Sequence, residues 1–321
     1  SAHFEAAAPR APGLVKAYSR RYSTIRREVL ETQVVYVKQY LEGDWGCTGD
    51  VIRARAAREG EVIGRLGELP GLSGRLGSMR LVSADPEQAT VVTAAVGGRP
   101  LDEYARDEYR RYLNGPCLRA FFLAGKWLSV FQTLHVLPGD GERTGEYDPE
   151  DLVEYCDIRL KKTRSLGYRW LTEAVRDRVC GVVGGLVERS PEEDRRRVWS
   201  HHDYGPGNVM WDGTTLTAID FAMASLDVPL VDVTYFIHRL EMMPIYFPWK
   251  RWPVAVWKRA FLRGYGRPDA EASPMYRALM IRHLLCRLQT YVRRPPENLK
   301  QRIHNAWVRR CVRAKLIGML D

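Results

Sequence analysis

VWSHHDYGPGNVMWDGTTLTAIDF, residues 198–221, decides how the chain is read. Gly205-Pro206-Gly207 and Asp212-Gly213-Thr214-Thr215 are turn sequences, and they bracket two short apolar runs, Val209 to Trp211 and Leu216 to Ile219. The pattern predicts a loop followed by a small hairpin. Polar groups crowd that loop as His201-x-Asp203-x4-Asn208, and Asp220-Phe221 closes the second apolar run. Two carboxylates and an amide around a hairpin suit a hard cation, because Mg2+ takes oxygen ligands and shares them with substrate phosphates. In phosphoryl transfer one Asp orients the acceptor hydroxyl and takes its proton, while an Asn and a second Asp hold metal on the nucleotide. Taken alone, H-x-D-x4-N also reads as a polar turn; its place between two strands, with Asp-Phe at the next strand end, gives it weight.

Working outward, Gln33 to Tyr40 (QVVYVKQY) is β-branched and aromatic, as a buried strand should be, yet Lys38 sits in its middle. A buried cation is costly unless paired, so this lysine needs a partner. Gly49 to Leu69 follows with apolar residues near helical spacing among charges, an amphipathic helix weakened by glycines. Arg80 to Val96 reads as two strands joined at Asp85-Pro86-Glu87, ended by Gly97-Gly98. Beyond Leu101 the pattern is helical. The expected fold class is therefore α+β, with a β-rich N-terminal lobe over 1–97 and a mainly helical lobe over 98–321.

Composition limits the alternatives. The 321 residues are 45% hydrophobic and 27% charged, so a real core is available and disorder or fibrous repeats are excluded. The six cysteines are far apart, without a Cys-x-x-Cys pair, which fits neither a zinc site nor a secreted disulfide scaffold and points to reduced thiols in the cytoplasm. No stretch is long and apolar enough to span a membrane, and SAHFEAAAPRAP lacks the apolar core of a signal peptide. Charge is unevenly placed: residues 239–321 hold 18 Lys and Arg against 5 Asp and Glu, a balance of +13 within an overall +10. Such a segment either meets an anionic partner or is simply a solvated helical surface.

His201, Asp203, Pro206, Gly207, Asn208, Asp220 and Phe221 resemble the signature of the aminoglycoside phosphotransferase and choline kinase family, the protein-kinase-like small-molecule kinases. Asp227-x-Pro229-x-x-Asp232 looks like the stretch that follows the metal Asp there, and Leu134-His135, expected in the helix entering the second lobe, and Gly98-x-x-Leu101 add to the likeness. The resemblance implies a two-lobed kinase fold, ATP and Mg2+ as cofactors, Asp203 as catalytic base, and Asn208 and Asp220 as metal ligands. It implies that Lys38 contacts the nucleotide's phosphates with Glu59 as its helix partner, Glu61 being the other choice because the helix register is open. His201 would buttress the loop, and His202, where the family often has Gly, either points at the acceptor or is exposed. No G-x-G-x-x-G covers the phosphates; the candidate loop runs from Ser19 to Ser23. Tyr204-Gly205 departs from the family's usual residues after the catalytic Asp, so that position does not reveal the acceptor.

The basic C-terminal quarter argues against a polycationic aminoglycoside as acceptor and for an uncharged or anionic one, such as a sugar, an amino-acid-like alcohol, a nucleoside, a free or lipid-linked glycan, or a lipid head group. Pro244 to Arg267 carries seven aromatic and six basic residues and no acid. This composition suits an anionic membrane surface. The plainer reading, preferred here, packs Trp249, Trp252 and Trp257 inside and leaves Lys250, Arg251, Lys258 and Arg259 in solvent. The alternative to a kinase is a catalytically silent kinase-like fold whose basic helices bind nucleic acid or a protein. Retention of Lys38, Asp203, Asn208 and Asp220 speaks against it, and no nucleic-acid partner is expected. The absence of an Ala-Pro-Glu segment disfavours a protein kinase.

Overall fold

The computed structural model describes residues 17–19, 23–30, 33–43, 48–108, 115–135 and 147–321. They fall into two compact units. The first comprises Ser1–His135, His201–Ser225 and Arg263–Gly266; the second comprises Val136–Ser200, Leu226–Leu262 and Arg267–Asp321.

The first unit opens with β1 (Ala17–Ser19), β2 (Ser23–Leu30) and β3 (Gln33–Tyr40). β2 and β3 pair antiparallel without a slip, from Ser23 opposite Tyr40 to Leu30 opposite Gln33. After α1 (Gly49–Leu66) come β4 (Leu76–Gly77), β5 (Leu81–Asp85) and β6 (Thr90–Ala94), and the five-stranded sheet has the order β1-β2-β3-β6-β5. α1 buries Ala56, Glu59, Gly60, Val62, Ile63 and Leu66, one stripe at helical spacing that includes a carboxylate. Gly60 costs helix propensity, but a methyl there would sit 2.6 Å from the Ala84 Cβ of β5, so glycine is what lets α1 lie so close to the sheet.

Next come β7 (Arg99–Pro100), α2 (Leu101–Glu108) and α3 (Gly115–Phe131). α3 stops earlier than the sequence suggested: Leu134 and His135 lie beyond it, in a turn where Thr133 bonds back to Val130 O through its hydroxyl at 2.7 Å. A β-branched residue that satisfies a helix carbonyl with its side chain is a poor continuation of the helix.

The chain then passes through α4 (Pro149–Ser165), α5 (Glu173–Glu188), α6 (Glu192–Arg195) and β8 (Val198–Ser200) of the second unit. It returns to the first as β9 (Val209–Trp211) and β10 (Leu216–Ala218), the expected hairpin. Asp212 shapes its turn, accepting from the backbone N–H of Thr214 and Thr215 at 2.8 and 2.7 Å. β9 and β10 sit inside a four-stranded sheet, β4-β10-β9-β7. Gly98, before β7, has φ of +91°, and a Cβ there would lie 2.4 Å from the Trp211 carbonyl. Only glycine fits a backbone that is both left-handed and pressed on another strand.

The second unit continues with α7 (Leu230–Tyr246), α8 (Val254–Tyr265), α9 (Pro274–Arg293) and α10 (Leu299–Gly318). Phe236 and Phe261 stack at 4.1 Å in its core. Two of its buried carboxylates are paired: Arg282 reaches Asp227 at 3.2 Å and lies over the Tyr155 ring, while Asp194 accepts from Ser273 Oγ at 2.5 Å and from Arg267. Cys117, Cys156, Cys180, Cys286 and Cys311 form no disulfide among the described residues, and Cys47 lies outside them. No helix among the described residues is long and apolar enough to cross a membrane.

Candidate active site

Lys38 is the third residue from the end of β3, and its side chain points the same way as that of Tyr40 because strand side chains alternate. Its ammonium lies 3.0 Å from Glu59 Oε1 and 2.6 Å from Asp220 Oδ1, with only about a tenth of the side chain exposed. Burial by itself would push the lysine's pKa down; the Glu59 and Asp220 carboxylates outweigh it and the net shift is upward. Lys38 is therefore a fixed positive charge at any ordinary pH. Glu59 is further held by the Tyr40 hydroxyl, which donates to Oε2 at 2.6 Å. The helix register thus brings Glu59 to the lysine, whereas Glu61 is exposed and pairs with Arg65 at 3.4 Å.

Tyr40 is a residue the sequence reasoning missed. The signal for it was present: a position two residues from a buried lysine shares its strand face.

The loop between β8 and β9 is tied at several points. His201 is fully buried; its Nε2 lies 3.0 Å from Ile219 O, and its Nδ1 accepts from the Asp203 backbone N–H at 3.3 Å. The two contacts make the ring a strut between loop and hairpin. Asn208 Nδ2 donates to Asp203 O and to Asp203 Oδ2, both at 2.9 Å, and Asn208 O accepts from Ile219 N at 2.9 Å. The Asp203 carboxylate is thereby held in one orientation by Asn208, while the side-chain oxygen Oδ1 of Asn208 accepts no hydrogen bond among the described residues.

An aromatic cluster supports the loop from below. Tyr204 is fully buried, stacks on Trp127 at 5.6 Å and donates from its hydroxyl to Ala124 O at 2.8 Å. Trp127 also stacks on Phe131, and Phe221 packs against both and against His201 at 4.7 Å. Trp127 Nε1 donates to Gly77 O at 2.8 Å, which links α3 to the hairpin sheet. The unusual Tyr204 is thus a core residue, and it could not have disclosed an acceptor.

Among the described residues three non-glycines have positive φ, and two of them are His202 (+61°) and Asp220 (+69°). Left-handed backbone costs about 1 kcal/mol or more for such residues and tends to persist where the surroundings enforce it, at functional sites. It also explains why a glycine is the easier residue at position 202.

Ser23 is fully buried at the start of β2, and its Oγ has no hydrogen-bond partner among the described residues. Ser19 ends β1 opposite Thr24, and Arg20, Arg21 and Tyr22 between the two serines lie outside the described residues.

Lys38, Glu59, Asp203, Asn208 and Asp220 therefore come together in one compact unit from β3, α1, the loop and the strand end beyond β10. A family model described as "Phosphotransferase enzyme family" matches residues 118–279, half of the chain. The chain belongs to this family. It is a kinase with a protein-kinase-like α+β fold, a β-rich N-terminal lobe and a mainly helical C-terminal lobe. Among solved structures, this phosphotransferase resembles the streptomycin–ATP ternary complex of the aminoglycoside phosphotransferase APH(2")-IIa, with a TM-score of 0.61 at 11% identity over 96% of this chain and 94% of that one. It also resembles a Plasmodium vivax ethanolamine kinase, TM-score 0.60 at 10% identity over 93% and 81% of the two chains. A choline/ethanolamine kinase family protein from Mesorhizobium loti aligns with a TM-score of 0.57 at 13% identity over 96% and 91%. No curated protein matches this kinase by sequence.

Proposed function

We propose that this phosphotransferase moves the γ-phosphate of ATP to a hydroxyl of a small molecule that is uncharged or anionic: a sugar, an amino-acid-like alcohol, a nucleoside or a glycan. The observation that carries the proposal is the pairing of Lys38 with both Glu59 and Asp220, at 3.0 and 2.6 Å, in the unit that also holds the Asp203–Asn208 pair. A buried lysine between two carboxylates is a charge set ready for phosphate; a silent binding fold has no need to keep it.

In this reading Asp203 accepts a hydrogen bond from the acceptor hydroxyl, orients it toward the phosphorus and takes its proton as the new O–P bond forms. The Asn208 amide keeps the carboxylate aimed, and His201 keeps the loop at a fixed distance from the strand that ends in Asp220. Lys38 binds the nucleotide's phosphate oxygens, and Glu59, itself steadied by Tyr40, sets where the ammonium points. Asn208 and Asp220 would hold Mg2+ through hard oxygen donors, and the metal would supply neutralisation of phosphate charge when bound. The fit rests on donor chemistry: the side-chain oxygen Oδ1 of Asn208 is left over after its Nδ2 is used. Ser19 and Ser23 remain the proposed phosphate-side residues, Ser23 supported by its unpartnered hydroxyl. The division of labour between 1–97 as nucleotide lobe and 98–321 as catalytic and acceptor lobe belongs to the same proposal, as does a cytoplasmic location.

The acceptor class follows from charge. Ammonium-rich acceptors require carboxylates around them, and residues 239–321 have a balance of +13. An ATP-consumption screen over sugars, amino alcohols, nucleosides, aminoglycosides and lipid-linked glycans, with mass spectrometry of the product, tests this. A phosphorylated aminoglycoside as the preferred product would overturn the acceptor class; no phosphorylated product from any class would overturn the kinase reading of the site.

A further inference from the structure

The helix α10 (Leu299–Gly318) is apolar on two sides. Asn305, Val308, Val312 and Leu316 face the interior of the second unit. On the opposite side Leu299, Ile303, Trp307 and Ile317 are exposed, two of them by more than 60%. At 100° per residue Leu299, Ile303 and Ile317 lie within about 40° of one another with Arg310 among them, and Trp307 borders them. This outward stripe runs the length of a 20-residue helix, about 30 Å. Its charge is one-sided: α10 contains Lys300, Arg302, Arg309, Arg310, Arg313 and Lys315 and no acid, and of these Lys315 is paired with Glu241 at 2.9 Å.

The stripe continues onto a neighbouring loop. Trp307 Nε1 donates to Ile245 O at 3.0 Å, which fixes the helix beside the end of α7. The chain then leads through Phe247 to Trp249, 74% exposed and braced edge-on against the Phe247 ring at 5.7 Å, with Arg251 exposed beside it. This corrects the sequence grouping. Trp257 is fully buried, and Lys258 is neutralised by Glu271 at 2.7 Å and Glu241 at 3.6 Å, so the exposed basic and aromatic surface is Trp249–Arg251 with α10 and not the whole segment 244–267.

We propose that the outer face of α10, together with the Trp249 loop, docks on an anionic lipid surface, with the helix lying in the plane of the headgroups. The combination of a continuous apolar stripe, aromatic residues at its edge and basic residues without acids is the chemistry of an interfacial helix. A second copy of this chain would bring Arg310 and its neighbours against the same charges, and a nucleic acid would find isoleucine and leucine where its phosphates need cations. The proposal does not rest on the kinase reading, and the two fail by different experiments.

Co-sedimentation of the full chain with vesicles of phosphatidylcholine alone, or with 40% phosphatidylglycerol, tests it. Binding to the anionic vesicles should be strong at low salt and fall steeply with ionic strength, because the attraction is screened over about 8 to 10 Å in physiological salt. Each Lys or Arg near such a surface strengthens binding about five-fold, so R302A/R310A should weaken it on the order of twenty-five-fold. I303S/I317S should weaken it at least ten-fold, while V29S/L30S, equally exposed in the other unit, should not change it. Thermal melts of each variant confirm that folding is kept. No pelleting with anionic vesicles at low salt overturns the proposal. So does equal pelleting with neutral vesicles, unchanged binding by the two α10 variants, or a concentration-dependent dimer that I303S/I317S dissolves.

Discussion

Replacing Glu59 by Gln tests the charge set at its most constrained point. Glu59 is buried, and its two oxygens are used separately: Oε1 by Lys38 at 3.0 Å and Oε2 by the Tyr40 hydroxyl at 2.6 Å. At an effective dielectric constant of about 20 a unit charge pair at that separation attracts by roughly 5 kcal/mol before desolvation is counted. Removing one partner of a buried pair outright costs about 3–5 kcal/mol. Here the loss is smaller, because Gln keeps the Tyr40 contact and Lys38 keeps Asp220 at 2.6 Å. We expect a net destabilisation of about 2–3 kcal/mol, read as a fall in Tm of roughly 4–10 °C. The functional effect follows from the same geometry. With Glu59 neutral, Lys38 is held by Asp220 alone, so on the proposed assignment of Asp220 as a metal ligand Mg2+ would compete with an undivided ion pair for that carboxylate. Steady-state assays over a Mg2+ titration should show a raised requirement for the metal and a kcat/KM for ATP at least ten-fold lower, whereas Glu61→Gln leaves both as they were. A Glu59→Gln protein that melts within a degree of wild type and needs no more Mg2+ would refute the reasoning.

Three further outcomes are expected. Asp220→Ala should abolish Mg2+-dependent nucleotide binding in titration calorimetry; unchanged heats with MgATP would remove Asp220 from the metal site. Gly98→Ala should lower Tm by several degrees, since it places a methyl 2.4 Å from the Trp211 carbonyl at a φ of +91°, and a neutral result would mean that the backbone there yields easily. His238 is held well below its usual pKa by burial first and then by His283, Arg287, Arg239 and Lys315 around it. The unfolded chain therefore takes up a proton below about pH 6.5 that the folded chain refuses, and stability is lost as pH falls from there, by at most about 1.4 kcal/mol per pH unit. The slope of Tm against pH between 6.5 and 5 should be shallower for His238→Gln than for wild type; equal slopes would exclude His238 as a cause.

The loop and hairpin of residues 198–221 could be read in advance because turn residues and apolar runs are local signals, and α1 and β3 because their periods are strong. What stayed open was whatever depends on register or on distant contacts. Glu59 and Glu61 differ by two helix positions, and only the docking of α1 on the sheet, with Gly60 pressed on Ala84, decides that Glu59 faces Lys38. Tyr204 departs from the family pattern, and its burial against Trp127 is a contact over 77 positions that no local rule contains. The end of α3 was placed too late for a similar reason, since Leu134 is buried as a helix residue would be but lies in the turn after it. The C-terminal charge was visible as a sum; its separation into the paired Lys258 and Lys315 and the other bases of α10 was not, because ion pairing is a property of the fold.

The central claim is that Asp203 is the base of a phosphoryl transfer, and Asp203→Asn measures it most directly. The substitution keeps size and the Asn208 contact but cannot take a proton. With an acceptor found by the ATP screen, turnover should fall about 100-fold or more while MgATP affinity and Tm stay close to wild type. Retention of more than about a tenth of wild-type turnover would contradict the account, because general base catalysis is worth at least ~100-fold where it operates.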